Sequence, residues 1–330
     1  MARLTIAIPT VNRADLLGRA IESALAQSSA DVEILVSDNG STDQTPAVIE
    51  RYAGRGLRTF RHPKTISAAS HGRFLVEQAR GEFFLGLSDD DYLEPDFAAE
   101  VLAAFDRHPE SAFVYTGCAV HYEDVQVPAL IGPALEPGAD FLAMHYHGKR
   151  ELSWCACVSR VRDLLELGPQ PDDHILGDMF FWTKIALKGP VGCVPRVLSH
   201  YILLRHRNDN ISHGTSPQVW ARESRMMVDE VIQASREAGA TAEYISNLEA
   251  AAKVHIARTT ANQFVWTRIR GASLADLLAW SIPSFQYLAW TFPVVSRLAA
   301  ALLLPPSFLR RMLLRSAAKL ANARRNQVPG

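Results

Sequence analysis

The stretch that decides the fold of this chain is Glu82-Phe83-Phe84-Leu85-Gly86-Leu87-Ser88-Asp89-Asp90-Asp91-Tyr92-Leu93. Its apolar first half predicts a buried strand. Three adjacent carboxylates repel one another and are costly to desolvate, so a compact fold accommodates them best around a shared cation. The two-residue period of a strand places Asp89 and Asp91 on one side and Asp90 on the other, so this Asp-x-Asp pair can address one divalent ion. A solvated acidic loop that caps the helix starting near Pro95 is the alternative.

Strands and helices alternate on either side of this stretch. Apolar runs predict five strands, at residues 4–8, 32–36, 57–60, 82–87 and 113–120. Helical periodicity predicts helices between them, at residues 16–25, 68–79 and 95–105. The alternation is typical of an α/β fold with a mostly parallel, doubly wound sheet, in which ligands bind beyond the carboxyl ends of the strands.

Polar clusters follow three of these strands at that end. Thr10-Val11-Asn12-Arg13 comes after the first, Asp38-Asn39-Gly40-Ser41 after the second, and the Asp triplet after the fourth. Each cluster alone is compatible with ordinary turn chemistry. Three clusters at one edge of one sheet favour a ligand site there.

Composition narrows the classes of function. The chain has 330 residues, 48% of them hydrophobic, and a net charge of -1, which gives no basis for nucleic-acid binding. Its four cysteines include no C-x-x-C pair, which favours reduced thiols in a cytoplasmic protein. The N-terminus leads straight into a strand pattern, so we expect no secretion signal.

The ordered set of motifs resembles the family 2 glycosyltransferases of the GT-A fold. The resemblance rests on Ile8-Pro9-Thr10 with Asn12-Arg13, on Val36 to Asp43, and on Ala79-Arg80-Gly81-Glu82 leading into the Asp triplet. It covers roughly residues 3–215 and implies a Rossmann-like GT-A catalytic domain at 1–215. Residues 1–125 would form the nucleotide-sugar and metal half of this domain, and residues 126–215 the acceptor half.

The resemblance also implies a donor site. The first two loops would hold a nucleoside diphosphate, usually UDP, and the Asp-x-Asp loop would hold Mg²⁺ or Mn²⁺ at its phosphates. The predicted nucleotide-binding residues are Pro9, Thr10, Asn12, Arg13, Asp38, Asn39, Ser41, Arg73, Asp89 and Asp90. Asp38 would accept a hydrogen bond from the base, while Asp89 and Asp91 would serve the ribose and the metal. A hard cation with oxygen ligands suits this chemistry, because it neutralises the diphosphate leaving group.

Arg73 departs from the family pattern, since many relatives carry Asn near this position. Its guanidinium is suited to pairing with a diphosphate. Pairing with Glu77, four residues later on the same predicted helix, is the alternative.

The predicted general base lies in the acceptor half. Leu176-Gly177-Asp178 leads into Met179 to Leu187 and resembles the family's second signature, in which an acidic residue at a helix start deprotonates the acceptor hydroxyl. Asp178 occupies the matching position, and burial beside Phe180 to Trp182 would raise its pKa towards working pH. A helix N-cap is the alternative role for Asp178, with Asp172 and Asp173 as reserve bases. Base and metal together imply a single displacement with inversion at the anomeric carbon.

A polar loop follows a strand predicted at residues 197–204. Relatives often carry an Arg and a His in this loop, where the His completes the metal shell or touches the diphosphate. The resemblance therefore implies His206, rather than His213, as a metal ligand. A surface histidine among basic residues is the alternative.

Residues 216–330 are predicted to form a helical C-terminal region, amphipathic and packed on the core over 218–264. After Asp276 the chain has seven basic and no acidic residues, which leaves a net charge of about -8 for residues 1–276. Aromatic residues and prolines interrupt the apolar run after Leu277, which favours short helices lying in a membrane interface over one spanning helix. We expect residues 277–325 to rest on anionic lipid on the cytoplasmic side of the plasma membrane. A helical hairpin packed on the catalytic domain, or an oligomer contact, is the alternative.

These features predict an inverting, metal-dependent transferase that acts in bacterial polysaccharide biosynthesis. It would move a sugar from a nucleotide donor, usually UDP-linked, to a hydroxyl of a lipid-linked glycan. A free polyprenyl phosphate is an alternative acceptor. A sugar-nucleotide pyrophosphorylase is disfavoured because the Gly-rich loop with Lys after strand one is absent. A phosphohydrolase is disfavoured because its Asp-x-Asp motif would follow strand one. A scaffold without activity in a glycan-synthesis complex remains as a hypothesis of a different class.

Overall fold

The computed structural model describes residues 2–168, 177–203, 216–284 and 292–325. In these residues ten strands form one sheet. The strands are Leu4–Thr10 (β1), Val32–Asp38 (β2), Leu57–Arg61 (β3), Phe83–Gly86 (β4), Tyr92–Leu93 (β5), Phe113–Tyr122 (β6), Val125–Pro128 (β7), Leu135–Glu136 (β8), Cys157–Arg160 (β9) and Val191–Ile202 (β10).

Helices cover both faces of the sheet and make up the C-terminal region. They are Leu17–Leu25 (α1), Thr45–Glu50 (α2), Ala68–Gln78 (α3), Phe97–Arg107 (α4), Gly138–Tyr146 (α5), Val161–Glu166 (α6), Gly177–Ala186 (α7), Pro217–Glu237 (α8), Ala242–Ile269 (α9), Leu274–Ser284 (α10), Phe292–Leu303 (α11) and Pro306–Arg325 (α12). A 3₁₀ turn at Trp154–Ala156 precedes β9. The predicted α/β class, with a central sheet flanked by helices and a helical C-terminal region, is confirmed.

The strand order β3-β2-β1-β4-β9-β6-β10-β5 divides the sheet into a parallel and a mixed half. The pairs among β3, β2, β1 and β4 are parallel. β9 then inserts antiparallel between β4 and β6, while β10 runs parallel to β6. The parallel half therefore aligns the carboxyl ends of β1, β2 and β4 at one edge.

Two predicted element boundaries differ from the structure. β10 begins at Val191 rather than at residue 197. The strand has a bulge between Val194 and Val197, and Pro195 within it interrupts the sequence pattern from which a strand is predicted. The helical stretch predicted over 218–264 consists of α8 and α9, separated where Gly239 adopts φ +79° and Thr241 caps the next helix.

The core lies on both faces of the sheet. On one face, β1 and β4 pack against α1 and α4 through residues such as Ile6, Ile21, Leu85 and Val101. On the other face, the core continues through α5 and α7 into α8 and α9, including Phe113, Phe141, Trp182, Met227 and Leu248. The C-terminal region therefore shares its core with the sheet.

The last two helices pack on the rest of the protein. α11 contacts α9 through a small core of Ala257, Ala261, Phe264, Val294 and Leu298. No helix in the described ranges is both long enough and apolar enough to cross a bilayer.

α12 is clamped to the β6–β7 hairpin at two points along its length. Arg324 donates to both carboxylate oxygens of Glu151, at 2.7 and 3.0 Å, and to the Pro128 carbonyl at 2.8 Å. Arg310 pairs with Glu123 in the β6–β7 turn, with Nε 2.6 Å from Oε1. Two of the basic residues predicted to face lipid are therefore engaged within the protein, as in the packed-hairpin alternative.

A pair of buried imidazoles joins α5 to α9. The rings of His145 and His255 are 5.2 Å apart, and Arg258 Nη2 lies 3.4 Å from His255 Nδ1. Burial lowers the pKa of His145 to about 4 and holds the pKa of His255 well below its usual range, with Arg258 acting in the same direction on both. The hydrogen bond between His145 Nδ1 and the Arg150 carbonyl opposes this effect at His145, and Glu151 adds to that opposition. Burial therefore disfavours the charged form of both imidazoles in the native state.

This pair predicts a pH-dependent loss of stability. Unfolded histidines take up protons near pH 6.5, so the free energy of unfolding should fall as the pH decreases from about 6.5 to about 4. Denaturant unfolding at several pH values measures this slope. The double variant His145→Gln/His255→Gln should reduce this slope by the equivalent of up to about two protons taken up on unfolding. His147→Gln, at an exposed position, should leave the slope unchanged. An unaltered slope in the double variant would contradict the assignment.

Candidate functional site: the carboxyl edge of β1, β2 and β4

Three loops meet where β1, β2 and β4 end. The register pairs Thr10 with Asp38 at the last position of β1 and β2, and Ala7 with Gly86 where β4 ends. The polar clusters that follow these strands are therefore brought to one edge, as the alternation of strands and helices predicted.

Asn12 joins the first loop to the second. Its backbone has φ +53°, and its Oδ1 accepts from the amides of Thr42 (2.7 Å) and Asp43 (3.3 Å). Its own amide donates to Ser41 Oγ at 2.8 Å. Asn and Asp tolerate this left-handed conformation better than most residues, which explains an Asn here. Asn12 and Ser41 thus shape the loops, and their predicted contacts with a nucleotide stay predictions.

Asn39 connects the second loop to the segment before α3. Its Nδ2 donates to the Ile66 carbonyl and its Oδ1 accepts from the Ile66 amide, both at 2.9 Å. Its backbone amide donates to the Thr10 carbonyl at 2.8 Å. Pro9 and Thr10 themselves lie at the end of β1, with Thr10 buried.

Arg13 binds the first loop to the Asp triplet. Its Nη1 donates to Asp89 Oδ1 at 2.9 Å and to Asp90 Oδ2 at 3.1 Å. All three side chains are largely buried. Burial raises the pKa of the Asp89 carboxyl to about 6, although Arg13 acts to lower it. One guanidinium therefore holds two carboxylates in a partly desolvated cluster.

Asp91 turns away from this cluster into the protein. Its side chain is fully buried, Oδ1 accepts from the Ile202 amide at 2.9 Å, and the Cys155 thiol lies beside it. Burial holds the pKa of Asp91 well above its usual range, and Asp90 raises it further. The carboxylate is thus enclosed between β10 and the 3₁₀ turn.

The strand period that grouped Asp89 with Asp91 is therefore wrong, while their predicted roles at the ribose and the metal stay predictions. β4 ends at Gly86, and the Asp91 amide donates to the Ser88 carbonyl in a turn, so a two-residue alternation does not extend through residues 89–91. Asp89 and Asp90 share Arg13, whereas Asp91 faces inward. Within the described residues, no three His, Cys, Asp or Glu side chains are arranged to hold a metal ion.

Asp89 and Asp90 nevertheless fit a cation that brings further ligands of its own. Arg13 contacts one oxygen of each carboxylate, and carboxylate oxygens are the ligands that Mg²⁺ and Mn²⁺ prefer. Two protein carboxylates with substrate phosphates are a usual ligand set for such ions. The donor set is therefore compatible with a metal bound together with a diphosphate.

Asp38 is covered by an arginine that sequence reasoning missed. Asp38 is fully buried, with Oδ1 accepting from the Ser41 amide at 2.8 Å and Oδ2 lying 3.3 Å from Arg61 Nε. The Arg61 side chain is 58% exposed and also donates to the Ser41 carbonyl at 3.0 Å. The one signal for this contact is the parallel register of β2 and β3, which places residues 38 and 61 side by side.

Arg73 pairs with Glu77, which is the alternative role that the sequence indicated for it. Its Nε donates to Glu77 Oε1 at 2.7 Å and its Nη1 to the Leu165 carbonyl at 3.0 Å. Arg73 thereby ties α3 to α6, and its predicted role at the diphosphate is left without support from these contacts.

The predicted acceptor residues are only partly within the described structure. Asp178 lies in the first turn of α7, one turn before the buried Trp182. Asp172, Asp173, His206 and His213 lie outside the described residues. The roles predicted for all of them stay predictions.

A hydrogen-bonded chain beside the Asp triplet was also missed. His121 Nε2 lies 3.0 Å from His200 Nδ1, and His200 Nε2 lies 2.8 Å from Glu94 Oε1. Tyr92, the residue after Asp91, stacks on His200 with ring centroids 4.2 Å apart, and the Arg19 guanidinium lies over the Tyr92 ring, 4.7 Å from its centroid. These residues are too far apart in sequence for spacing to reveal them. They fix β5 against β10 directly behind the triplet.

Comparisons with known proteins agree with this geometry. The sequence model of glycosyl transferase family 2 matches residues 5–149, which include all three loops. Residues 5–149 are a family 2 glycosyltransferase domain. The chain is 35% identical over 114 residues to chondroitin synthase from Escherichia coli and 36% identical over 114 residues to hyaluronan synthase from Pasteurella multocida. These matches cover 34% of this chain but only 17% and 12% of the two synthases.

Solved structures resemble the chain over nearly its whole length. Residues 1–349 of Staphylococcus aureus TarS in complex with UDP-GlcNAc superpose with a TM-score of 0.64 at 19% identity, covering 97% of this chain and 88% of that one. Mannosyltransferase PcManGT from Pyrobaculum calidifontis, in complex with GDP-Man and Mn²⁺, gives 0.56 at 18% identity and covers 98% and 86%. The likeness confirms the GT-A fold of the glycosyltransferase domain.

The Arg13 cluster predicts a stability effect whose size depends on pH. Arg13→Ala leaves two largely buried carboxylates without their cation, which costs about 3 kcal/mol of unfolding free energy when both are charged. Below the Asp89 pKa of about 6 one carboxylate is neutral, so the loss should be smaller at pH 5 than at pH 8. Carboxyl NMR of selectively labelled aspartate should show the Asp89 pKa rising in the variant. Arg3→Ala, which removes an exposed partner of Asp106, is the control and should leave Asp89 unchanged. Equal losses at both pH values would contradict this account.

Proposed function

We propose that the chain is an inverting, metal-dependent glycosyltransferase that moves a sugar from a UDP-linked donor to a hydroxyl of a lipid-linked glycan. The observation that carries the proposal is the Arg13–Asp89–Asp90 cluster, at the edge where the family 2 domain joins three loops. Structural neighbours bind UDP-GlcNAc or GDP-Man, and relatives are named as polysaccharide synthases. These neighbours support a nucleotide-sugar donor and a glycan acceptor.

The cation would be held by Asp89 and Asp90, together with the phosphates of the donor. When bound, Mg²⁺ or Mn²⁺ supplies Lewis-acid neutralisation of the diphosphate leaving group. Arg13 orients both carboxylates, and Asp91, turned inward to the Ile202 amide, fixes the turn that carries them. His206 remains the predicted additional ligand.

Arg61 and Asp38 would define the base end of the site. The exposed guanidinium of Arg61 stands between Asp38 and solvent, so a base that donates to Asp38 has to displace or share this arginine. A uracil offers both a donor N–H and carbonyl acceptors, which suits a carboxylate and a guanidinium side by side. This pairing supports UDP as the donor nucleotide.

Asp178 is the proposed general base. A carboxylate at this position takes the proton of the acceptor hydroxyl as that oxygen attacks the anomeric carbon, and the bond to the diphosphate breaks on the opposite side. A single displacement of this kind inverts the anomeric configuration. No carboxylate nucleophile is needed.

A transfer assay with matched variants tests this assignment. Purified protein with Mn²⁺ is given UDP-glucose, UDP-galactose, UDP-GlcNAc or GDP-mannose and a bacterial lipid extract, and glycolipid products are identified by mass spectrometry and their anomeric configuration by NMR. Asp178→Asn should retain UDP binding by calorimetry but lose transfer by at least about a hundredfold. Asp90→Asn should lose both metal-dependent binding and transfer, while Asp124→Asn, at an exposed turn, should lose neither.

The other hypotheses give different results in the same assay. If a product forms only on free polyprenyl phosphate, that phosphate is the acceptor and a lipid-linked glycan is not. Binding of UDP without transfer to any acceptor would favour a scaffold. Binding of no nucleotide, with or without Mn²⁺, would contradict the donor site itself.

We also propose that α12 rests on the anionic cytoplasmic face of the plasma membrane and brings the site to its lipid-linked acceptor. The helix uses one face for the clamp of Arg310 and Arg324. The opposite face exposes three basic side chains together with two large apolar ones, and it carries no carboxylate. They are Arg311, Arg315, Lys319, Phe308 and Met312.

The turn between α11 and α12 supports this orientation. Leu303, at the end of α11, is 79% exposed, and Phe308 follows in the first turns of α12. Apolar side chains beside basic ones are typical of helices lying in a lipid interface. The predicted interfacial segment is thus restricted to the outward face of α12 and this turn.

Vesicle sedimentation tests the membrane proposal. Each basic residue near an anionic surface contributes about 1 kcal/mol, so the triple variant Arg311→Gln/Arg315→Gln/Lys319→Gln should lose roughly a hundredfold in affinity for phosphatidylglycerol vesicles. The matched variant Arg51→Gln/Arg107→Gln/Lys253→Gln removes exposed charges elsewhere and should bind as the original protein does. Equal binding by the two variants, or a dimer held by the α12 face in analytical ultracentrifugation, would contradict membrane docking.

A further inference from the structure

Trp154 lies against the backbone of Gly86 at the carboxyl end of β4. A Cβ built on Gly86 would be 2.2 to 2.4 Å from three atoms of the indole ring. Such distances leave no room for any side chain at position 86. Gly86 therefore allows the indole to approach the strand three residues before Asp89.

The position of Trp154 is fixed by the turn that carries it. Cys155 and Ala156 of the same 3₁₀ turn are buried, and the Cys155 thiol lies beside Asp91. The indole itself is partly exposed, and the edge that carries its Nε1 is the edge that lies against Gly86. A partly exposed ring, held against β4 by one edge, thus stands next to the Asp triplet.

A second tryptophan links this ring to the proposed base helix. The rings of Trp154 and Trp182 are 5.9 Å apart at an interplanar angle of 51°. Trp182 is buried in α7, one helical turn after Asp178. Trp154 therefore lies between the cluster proposed to hold the diphosphate and the helix proposed to supply the base.

We propose that Trp154 is the platform for the sugar of the donor and a determinant of which sugar is accepted. The inference rests on the proposed function, because the sugar of a nucleotide donor has to lie between the diphosphate and the base. A partly exposed indole offers an apolar surface for the C–H groups of a pyranose ring. Its ligand is the pyranosyl group and not the nucleotide.

Calorimetry with UDP and UDP-sugars separates these two parts of the donor. In Trp154→Ala, affinity for UDP with Mn²⁺ should stay within about twofold, while the additional affinity of the preferred UDP-sugar over UDP should fall by about five- to tenfold. Trp154→Phe should retain part of that additional affinity, since it keeps a smaller apolar ring at the same position. The order of preference among UDP-glucose, UDP-galactose and UDP-GlcNAc should also change. Trp266→Phe, a ring far along α9 that stacks on Tyr122, is the control and should change neither quantity.

Gly86→Ala provides a second test that leaves the tryptophan in the sequence. The new methyl group has to push the indole away, so this variant should also lose sugar selectivity while retaining UDP binding. Thermal unfolding of each variant establishes that it is folded. Equal effects on UDP and on UDP-sugars, or unchanged sugar preference in folded Trp154→Ala, would overturn the inference. Failure of the unaltered protein to bind UDP would instead overturn the proposed function.

Discussion

The ion pairs of Arg13 with Asp89 and Asp90 are the constraint on which the proposed site depends. Three consecutive carboxylates at the end of a buried strand are unfavourable unless each charge is compensated or removed. The chain compensates two of them with one guanidinium from the preceding loop. It buries the third, Asp91, beside an amide of β10 and a thiol, where burial holds the pKa of the carboxyl well above its usual range. A cation at Asp89 and Asp90 would therefore bind two carboxylates whose charges Arg13 already compensates in part.

The same contacts connect the parallel half of the sheet to its mixed half. Asp91 reaches Ile202 in β10, Tyr92 packs on His200 of the same strand, and Cys155 beside Asp91 belongs to the turn that carries Trp154. A movement of the triplet would thus be transmitted to β10 and to the Trp154 turn.

The architecture could be predicted from sequence because it rests on local patterns. Apolar runs and helical periodicity located the strands at 4–8, 32–36 and 57–60, and parallel topology then required the three polar clusters to share an edge. The inward turn of Asp91 could not be predicted, since it depends on where β4 ends and on an amide 111 residues away. Two further contacts could not be predicted either. Arg61 lies over Asp38 because of the strand register, and Trp154 contacts Gly86 because two segments distant in sequence approach closely; a single sequence reveals neither.

The prediction for the C-terminal region was coarse for a related reason. Composition identified a basic, apolar segment, but only the contacts of Arg310 and Arg324 distinguish its inner face from its outer one.

The most direct measurement of the central claim is a crystal structure of the protein with UDP and Mn²⁺. The account predicts the diphosphate and the ion beside Asp89 and Asp90, with Arg13 retained in the cluster, Asp91 still turned to Ile202, and the base at Asp38 and Arg61. A nucleotide bound away from the ends of β1, β2 and β4, or an ion held by Asp91 instead of Asp90, would contradict it.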